Sequence, residues 1–127
     1  MRSDKKNLIV ELTFQFSLEI IKYTESLEKI KRFNIANQLF RSGTSIGANV
    51  REAQNGESKR DFIHKLKIAA KEADETEYWL QLCKESENYP NPNYLIENIE
   101  SINKILSKII ATSKATVQNH QIFKSSN

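Results

Sequence analysis

Apolar residues recur at spacings of three and four along four separate segments of the chain, and this period is typical of amphipathic α-helices. The first segment shows the spacing most clearly. Its predicted core stripe consists of Leu8, Leu12, Phe16, Ile20, Tyr23, Leu27 and Ile30. Few stretches alternate with the period of two that marks half-buried strands. The pattern therefore predicts an all-α domain of four helices.

Capping residues indicate where these helices begin and end. Ser58, followed three residues later by Asp61, has the spacing of a capping box and predicts the start of helix three. Asn91 followed by Pro92 predicts the start of helix four, because proline is favoured at the first helical position. The other predicted boundaries are Ser3 or Asp4 and about Lys31 for helix one, and an N-cap at Asn34 and a stop at Asn55-Gly56 for helix two.

The links between the helices are short, and this predicts their arrangement. Connections of a few residues favour neighbouring helices that run in opposite directions, so the predicted fold is an antiparallel up-down-up-down four-helix bundle. We assign residues 1–113 to this bundle domain. Residues 114–127 form a polar C-terminal tail that we expect to be partly disordered.

Two glycines interrupt helix two, although each interior glycine costs about 1 kcal/mol relative to alanine. Gly43 falls in the middle of the predicted core face, and Gly47 lies beside it. A glycine there removes the side chain that normally keeps two helices about 8–10 Å apart. The glycines therefore predict a close helix crossing. A phosphate-binding loop is the less favoured alternative, since no strand precedes them and no lysine follows in P-loop register.

Two of the helices carry more apolar surface than a single bundle needs. Helix one has a second apolar row opposite its core stripe, and helix three has a second row that includes a tryptophan. A bundle helix normally buries one stripe, so the additional rows predict self-association, with scattered surface residues as the alternative. The candidate interface residues are Val10, Phe14, Leu18 and Ile21 on helix one and Ile68, Tyr78, Trp79 and Leu82 on helix three.

Composition narrows the class of protein without naming a reaction. The 127 residues fit one domain, and 28% charged with 39% apolar residues suits a soluble globular protein. The single cysteine, Cys83, excludes an internal disulfide and agrees with a reducing compartment. No apolar run approaches the ~20 residues that span a bilayer, and the N-terminus lacks the apolar region of a signal peptide. We expect a cytoplasmic protein with no membrane partner.

Residue combinations for catalysis or metal binding are hard to find in this chain. His64 and His120 are the only histidines, and neither has a second histidine or a cysteine at ligand spacing, so no metal site is predicted. Cys83 falls on the predicted core stripe of helix three, and we interpret it as a buried apolar residue and not as a nucleophile. We therefore expect no enzymatic activity, no catalytic residue and no cofactor.

Basic side chains are the better candidates for function. The net charge of +3 permits nucleic-acid binding without requiring it. Outward-facing Lys and Arg side chains can neutralise phosphates, and a ring of subunits would multiply them, although ordinary solubilising charge is the alternative. The candidates are Arg41, Arg51, Lys59, Arg60, Lys67 and Lys71. A second hypothesis is a scaffold that docks a basic protein, such as a polymerase, on the acidic run from Lys71 to Glu77.

The segment from Arg41 to Leu82 resembles the four-helix bundle proteins encoded in intervening sequences of bacterial 23S ribosomal RNA genes. The family pattern is a serine, an apolar residue, any residue, alanine-asparagine, an apolar residue and x-glutamate, and residues 45–52, SIGANVRE, match it. A downstream segment that runs from a serine to a phenylalanine matches residues 58–62. Ala53 stands where many members have glycine.

This resemblance implies a homo-oligomer, typically a pentameric ring of bundles, without known catalytic activity. A related branch, the accessory proteins of diversity-generating retroelements, binds a reverse transcriptase and nucleic acid through a basic ring. The expected partners are therefore other copies of the chain and, beyond them, RNA or a nucleic-acid-processing protein. By the same similarity helix two has a polar flank, expected to hydrogen-bond across a helix interface, that consists of Ser45, Asn49 and Glu52.

Overall fold

Four helices make up the domain. The structure, a computed structural model, describes residues 7–125, with side chains described for residues 7–119. The helices are α1 (Leu8–Lys29), α2 (Phe33–Ala53), α3 (Lys59–Glu85) and α4 (Asn93–Ser125). The described residues contain no strand, and none of their helices is both long and apolar enough to cross a membrane. The prediction of an all-α four-helix bundle is confirmed.

Each helix packs against two others, α1 on α2, α2 on α3, α3 on α4, and α4 back on α1. The last of these seams has the least contact. Along every seam the residue numbers rise on one helix as they fall on its neighbour. Between α1 and α2 the pairs are Ile20–Gly43 and Thr13–Gly47, and between α2 and α3 they are Arg41–Glu72 and Glu52–Lys65. Between α3 and α4 they are Glu77–Asn103 and Lys67–Lys114. Between α1 and the start of α4 they are Tyr23–Pro90 and Glu19–Tyr94.

The core stripe of α1 starts at different residues from those predicted. Leu8 is 59% exposed and Leu12 is half-buried, whereas Ile9 and Thr13 are buried. A strict spacing of four advances about 40° per step around a helix of 3.6 residues per turn, so a row begun at Leu8 drifts relative to the core. Thr13 can be buried because its hydroxyl donates to the Ile9 carbonyl at 2.8 Å. The predicted core positions of Leu8 and of Ile30, which is also exposed, are wrong.

Both predicted caps of the second half of the chain are present. Ser58 Oγ accepts a hydrogen bond from the Asp61 backbone N–H at 3.1 Å, and α3 begins at the residue after this serine. Asn91 Oδ1 accepts from the Asn93 N–H at 2.9 Å, and α4 begins at Asn93. These side chains satisfy N–H groups that have no partner inside the helix. The sequence therefore predicts the start of both helices to within two residues.

The link between α1 and α2 is a tight turn at Lys31, whose φ of 64° is in the left-handed region. The N–H groups of Lys31 and Arg32 donate to carbonyls of the last turn of α1, each at 2.9 Å. This is the hydrogen-bond pattern of a Schellman motif, in which glycine is the usual left-handed residue. Because the turn closes so quickly, α2 begins at Phe33. Asn34 lies inside the helix, and its predicted N-cap role is wrong.

Two predicted boundaries concern the ends of the chain. The predicted start of helix one, at Ser3 or Asp4, lies outside the described residues. At the other end α4 continues past residue 113 to Ser125. Ser113 is the last buried residue of α4 among the described side chains, and Val117 is half-buried. The division of the chain into a bundle domain, 1–113, and a tail, 114–127, stays a prediction.

Gly43 and Gly47 lie where α2 crosses α1. A Cβ atom on Gly43 would lie 2.8 Å from Ile20 Cγ1, and one on Gly47 would lie 3.2 Å from the Thr13 carbonyl oxygen. The first contact is shorter than real Cβ atoms tolerate, so a larger residue at position 43 must displace Ile20. This geometry agrees with the predicted close crossing. The poor helix propensity of glycine is offset by the dispersion contacts that the close approach allows.

Candidate functional site

A shallow apolar groove runs between α1 and α2. Its α1 wall is the predicted second row, in which Phe14 is 47% exposed and Leu18 is 40% exposed. Its floor is low because Thr44, Gly47 and Ala48 of α2 have small side chains. The groove has a volume of about 330 Å³. Its lining consists of Val10, Phe14, Ser17, Leu18, Ile21, Thr44, Gly47, Ala48 and Arg51. The second row of α1 therefore lies beside α2, and not opposite the core stripe as predicted from the sequence.

The second row of α3 lies on the other side of α2. Tyr78 is 58% exposed and Leu82 is 39% exposed, whereas Trp79 and Ile68 are half-buried. The rings of Tyr78 and Trp79 meet edge to face, with centroids 5.2 Å apart. The Trp79 indole N–H donates to Glu75 at 3.0 Å. This row is a mixed aromatic and polar surface, in contrast to the apolar groove.

Arg41 of α2 is held by two carboxylates of α3. One guanidinium nitrogen lies 3.2 Å from Glu72 Oε1, and the other pairs with Glu75. Because Glu75 Oε2 also accepts the Trp79 N–H, a continuous polar chain joins Arg41 to the indole ring. The Arg41 charge is therefore compensated within one chain. This geometry weighs against the prediction that Arg41 contacts phosphate.

The other five nucleic-acid-binding candidates have different surroundings. Arg51 lines the α1–α2 groove. Lys59 Nζ lies over the ring of Phe62, 5.3 Å from its centroid. The remaining three are exposed on α3, and within the described side chains no carboxylate forms an ion pair with them: Arg60, Lys67 and Lys71. The structure thus separates the six candidates and does not bring them together in one site.

Lys114 of α4 is a cation beside the α3 surface that was not predicted from the sequence. The nearby positive charge of Lys67 lowers the pKa of Lys114 from its ordinary value. No local spacing signals this pair, because only the packing of α3 against α4 brings two such distant positions together. The absence of any acidic residue after Glu100 was the available signal that this part of α4 adds uncompensated positive charge.

The polar flank taken from the family pattern bonds mostly within α2. Ser45 Oγ donates to the Arg41 carbonyl at 2.5 Å, and Asn49 Nδ2 donates to the Ser45 carbonyl at 2.9 Å. Of the three residues, Glu52 reaches another helix, where Lys65 Nζ lies 2.9 Å from its Oε1. Within one chain, the expected hydrogen bond across a helix interface is therefore made by Glu52 and not by the other two.

A buried hydroxyl pair, which was also not predicted from the sequence, joins α2 to α3. Ser42 and Thr76 are both fully buried, and their hydroxyl oxygens share a hydrogen bond at 2.9 Å. Thr76 also bonds to the Glu72 carbonyl at 2.7 Å, so its oxygen is satisfied inside its own helix as well. The signal in the sequence was a threonine on the predicted core stripe of helix three, where a buried hydroxyl needs a partner.

Two titratable side chains outside these surfaces have raised pKa values. Cys83 is buried beside Tyr23, and burial raises the pKa of its thiol, which disfavours the thiolate that a nucleophile needs. Burial, with a smaller contribution from nearby Glu100 and Asp74, raises the pKa of Glu77. Within residues 7–119 no group of three His, Cys, Asp or Glu side chains could hold a metal ion.

Comparison with known proteins shows the family. Residues 5–111 match the family model described as 23S rRNA-intervening sequence protein. The chain is 40% identical to a protein of unknown function from the S23 ribosomal protein family of Bacteroides thetaiotaomicron VPI-5482, whose crystal structure superposes with a TM-score of 0.78. That match covers 81% of this chain and 98% of the other. No curated protein matches the chain. The resemblance noted in the sequence is confirmed, and the chain belongs to the family of 23S rRNA-intervening sequence proteins.

Proposed function

We propose that this chain is a non-enzymatic helical bundle that self-associates and, once assembled, binds RNA. The observation that carries the proposal is the exposed apolar groove between α1 and α2. Phe14 and Leu18 are each about half exposed on its wall. Covering such a surface is favourable by roughly 25 cal/mol per Å² of apolar area removed from water. A continuous apolar surface of this kind on a soluble domain marks a site of protein association.

The occupant of the groove, in this proposal, is the α3 surface around Trp79 of a neighbouring copy. Tyr78 and Leu82 flank Trp79 and remain exposed in the single chain. An aromatic side chain suits a groove of about 330 Å³ with a floor of small residues. The two surfaces lie on opposite sides of α2, so the contact is heterologous and either closes into a ring or grows as a filament. The family resemblance supports a closed ring of five subunits.

Association with RNA is supported by charge and by the names of the relatives. Arg60, Lys67 and Lys71 are exposed cations with no described carboxylate paired to them. A ring would repeat them on every subunit, and repeated weak contacts give a much higher overall affinity than any one of them. The family is described as 23S rRNA-intervening sequence protein, and the similar structure is described as a member of the S23 ribosomal protein family. A cytoplasmic location follows from this proposal.

The alternative is a scaffold that docks a basic protein, such as a reverse transcriptase, on the acidic face of α3. Glu72 and Glu75 belong to this face, but both are already paired with Arg41. A partner would have to compete with that pairing or use Asp74 and Glu77, which lie elsewhere on the helix. We therefore favour RNA over a basic protein as the external partner.

The mass of the assembly in solution tests the first half of the proposal. Multi-angle light scattering of the unmutated chain at micromolar concentration should give one species near five times the chain mass. Phe14→Asp and Trp79→Asp should each break it into smaller folded forms, because each places a charge in the interface. Phe33→Asp is the matched control, since Phe33 is 53% exposed but lies in neither surface. A monomer for the unmutated protein would contradict self-association.

Titration of a labelled structured RNA tests the second half. We expect a dissociation constant that is micromolar or weaker at low salt, because phosphate contacts dominate and no aromatic side chains alternate with basic ones to stack bases. Affinity should fall steeply as salt rises. An assembled protein that binds no RNA at low salt would favour the scaffold, and a basic protein ligand would then be the probe to use.

A further inference from the structure

Charge is segregated along the axis of the bundle. One end consists of the start of α1, the end of α2, the start of α3 and the later part of α4. Its residues 8–17, 45–71 and 101–119 carry nine Lys and Arg side chains and four Asp and Glu side chains. The other end, residues 18–44 and 72–100, carries six Lys and Arg and eleven Asp and Glu. We name these the basic end and the acidic end.

The positive charge of the basic end is least compensated where α3 meets α4. After Glu100 the chain contains no acidic residue, so this part of α4 brings only lysines to the seam. There the positive charge of Lys67 is near enough to Lys114 to lower its pKa. Lys71 is one turn after Lys67, and Arg60 is two turns before it, on the same outer face of α3. Among the described side chains these four cations form no ion pair.

Two ammonium groups this close repel each other, and the repulsion raises the free energy of the unoccupied surface. An anion between Lys67 and Lys114 would replace that repulsion by two charge-assisted contacts. A lysine binds phosphate as a point charge, so such contacts need no particular base. A polyanion with regularly spaced phosphates can also reach Lys71 and Arg60 on the same face. The surface therefore fits a nucleic-acid backbone better than a single small anion.

The two arginines of α2 have other surroundings. Arg41 is paired with Glu72 and Glu75 beside Trp79, and Arg51 lines the α1–α2 groove. Both therefore lie at the surfaces that the proposed assembly covers. The α3–α4 seam, in contrast, is a different side of the bundle from the groove. Binding of RNA and assembly can thus use separate residues of one chain.

We infer that the surface formed by Arg60, Lys67, Lys71 and Lys114 is where this protein contacts the phosphate backbone of RNA, and that Arg41 and Arg51 serve assembly instead. The inference rests on the proposed association with RNA and names its site. The acidic end repels the same backbone, so RNA is confined to the basic end of each subunit. In a closed ring the symmetry then brings equivalent cationic surfaces to equivalent positions around the axis.

Fluorescence anisotropy with a labelled RNA hairpin and the full chain tests the site. The variant Lys67→Glu/Lys114→Glu should bind about tenfold or more weakly than the unmutated protein, and the slope of log affinity against log salt should decrease by about 2. The matched control is Lys29→Glu/Lys84→Glu. These two lysines are exposed at the acidic end, and their replacement changes the net charge by the same amount. The control should keep its affinity within about threefold.

Four results would overturn the inference. Equal losses in both double variants would mean that only net charge matters, and an unchanged affinity of Lys67→Glu/Lys114→Glu would place the site elsewhere; in both cases RNA association itself would stand. No RNA binding by the unmutated protein would remove the association and the site together. Competition by polyglutamate as strong as by RNA would show a site for acidic protein.

For every variant, light scattering and circular dichroism should give the mass and helix content of the unmutated protein. The single variant Lys114→Gln is a milder change, and its RNA affinity should fall in the same direction.

Discussion

α2 packs against its two neighbours by different physical means. Toward α1 it presents Gly43 and Gly47, which lie in close contact with the Ile20 side chain and the Thr13 backbone. Toward α3 it presents the buried hydroxyl of Ser42 and the charged side chains of Arg41 and Glu52, each with a partner on α3. The α1–α2 seam is close because the glycines have no side chains, whereas the α2–α3 seam contains paired polar side chains.

The two kinds of seam respond differently to change. Steric repulsion rises steeply within a few tenths of an ångström, so a close apolar crossing tolerates added atoms poorly. An exposed ion pair contributes only about 0–1 kcal/mol, because water solvates the separated charges well. A buried hydrogen bond lies between these limits, since its loss leaves a polar group without a partner. We therefore expect stability to depend most on the α1–α2 seam.

The largest effect is expected for Gly43→Leu, which should lower the free energy of unfolding by about 3 kcal/mol. Even the first carbon of the new side chain would lie 2.8 Å from Ile20 Cγ1, and Ile20 is fully buried and cannot move into solvent. The better helix propensity of leucine recovers only a part of this, about 1 kcal/mol. Urea denaturation followed by circular dichroism measures the difference.

Thr44→Leu is the control for this change because it adds a leucine at the adjacent position of the same helix. Thr44 lies on the floor of the open α1–α2 groove, so the new side chain has space. We expect a change below about 1 kcal/mol in the free energy of unfolding. If Gly43→Leu and Thr44→Leu have similar midpoints, position 43 is not at a tight contact and the contrast between the seams fails.

An intermediate effect is expected for Thr76→Val in the α2–α3 seam. The valine keeps the shape of the side chain but removes the hydroxyl, so the buried Ser42 hydroxyl loses its partner across the seam. The cost should be about 1–2 kcal/mol. Adding Ser42→Ala should restore part of it, because the unpaired group is then gone. A double variant that is less stable by the full sum of the single changes would show that the hydroxyls act independently.

The sequence predicts the fold well because the fold depends on local and periodic signals. The apolar spacing of three and four identifies every helix, and the caps at Ser58 and Asn91 are read directly from neighbouring residues. The failures arise where a local signal is ambiguous. A spacing of four places Leu8 on the predicted core stripe, although this residue is exposed in the structure. The left-handed conformation of Lys31 could not be predicted, because the residue at this position is not a glycine.

The candidate surfaces were predicted less completely, since they depend on which residues different helices bring together. The second row on α1 is visible in the sequence, but the groove also needs Thr44, Gly47 and Ala48 from α2 as its floor. The basic character of Arg41 is visible as well, but its pairing with two carboxylates of α3 is not. Charge counted along a sequence does not distinguish a compensated cation from an uncompensated one.

The smallest effect on stability is expected for Arg41→Gln. This variant also tests whether the two ion pairs of the α2–α3 seam have different roles. Arg41 is about half exposed, so losing its pairs with Glu72 and Glu75 should cost less than about 1 kcal/mol. The same substitution at Lys65, which removes the pair with Glu52 on the same seam, should cost a similar amount.

The two variants should differ in the fluorescence emission of Trp79. Glu75 holds the indole N–H, and without Arg41 this carboxylate is less firmly positioned, so the emission maximum of the single tryptophan should shift to longer wavelength in Arg41→Gln and stay unchanged in Lys65→Gln. An equal emission shift in both variants, or none in either, would mean that Arg41 does not position Trp79, and that the pairs of the α2–α3 seam are equivalent surface charges.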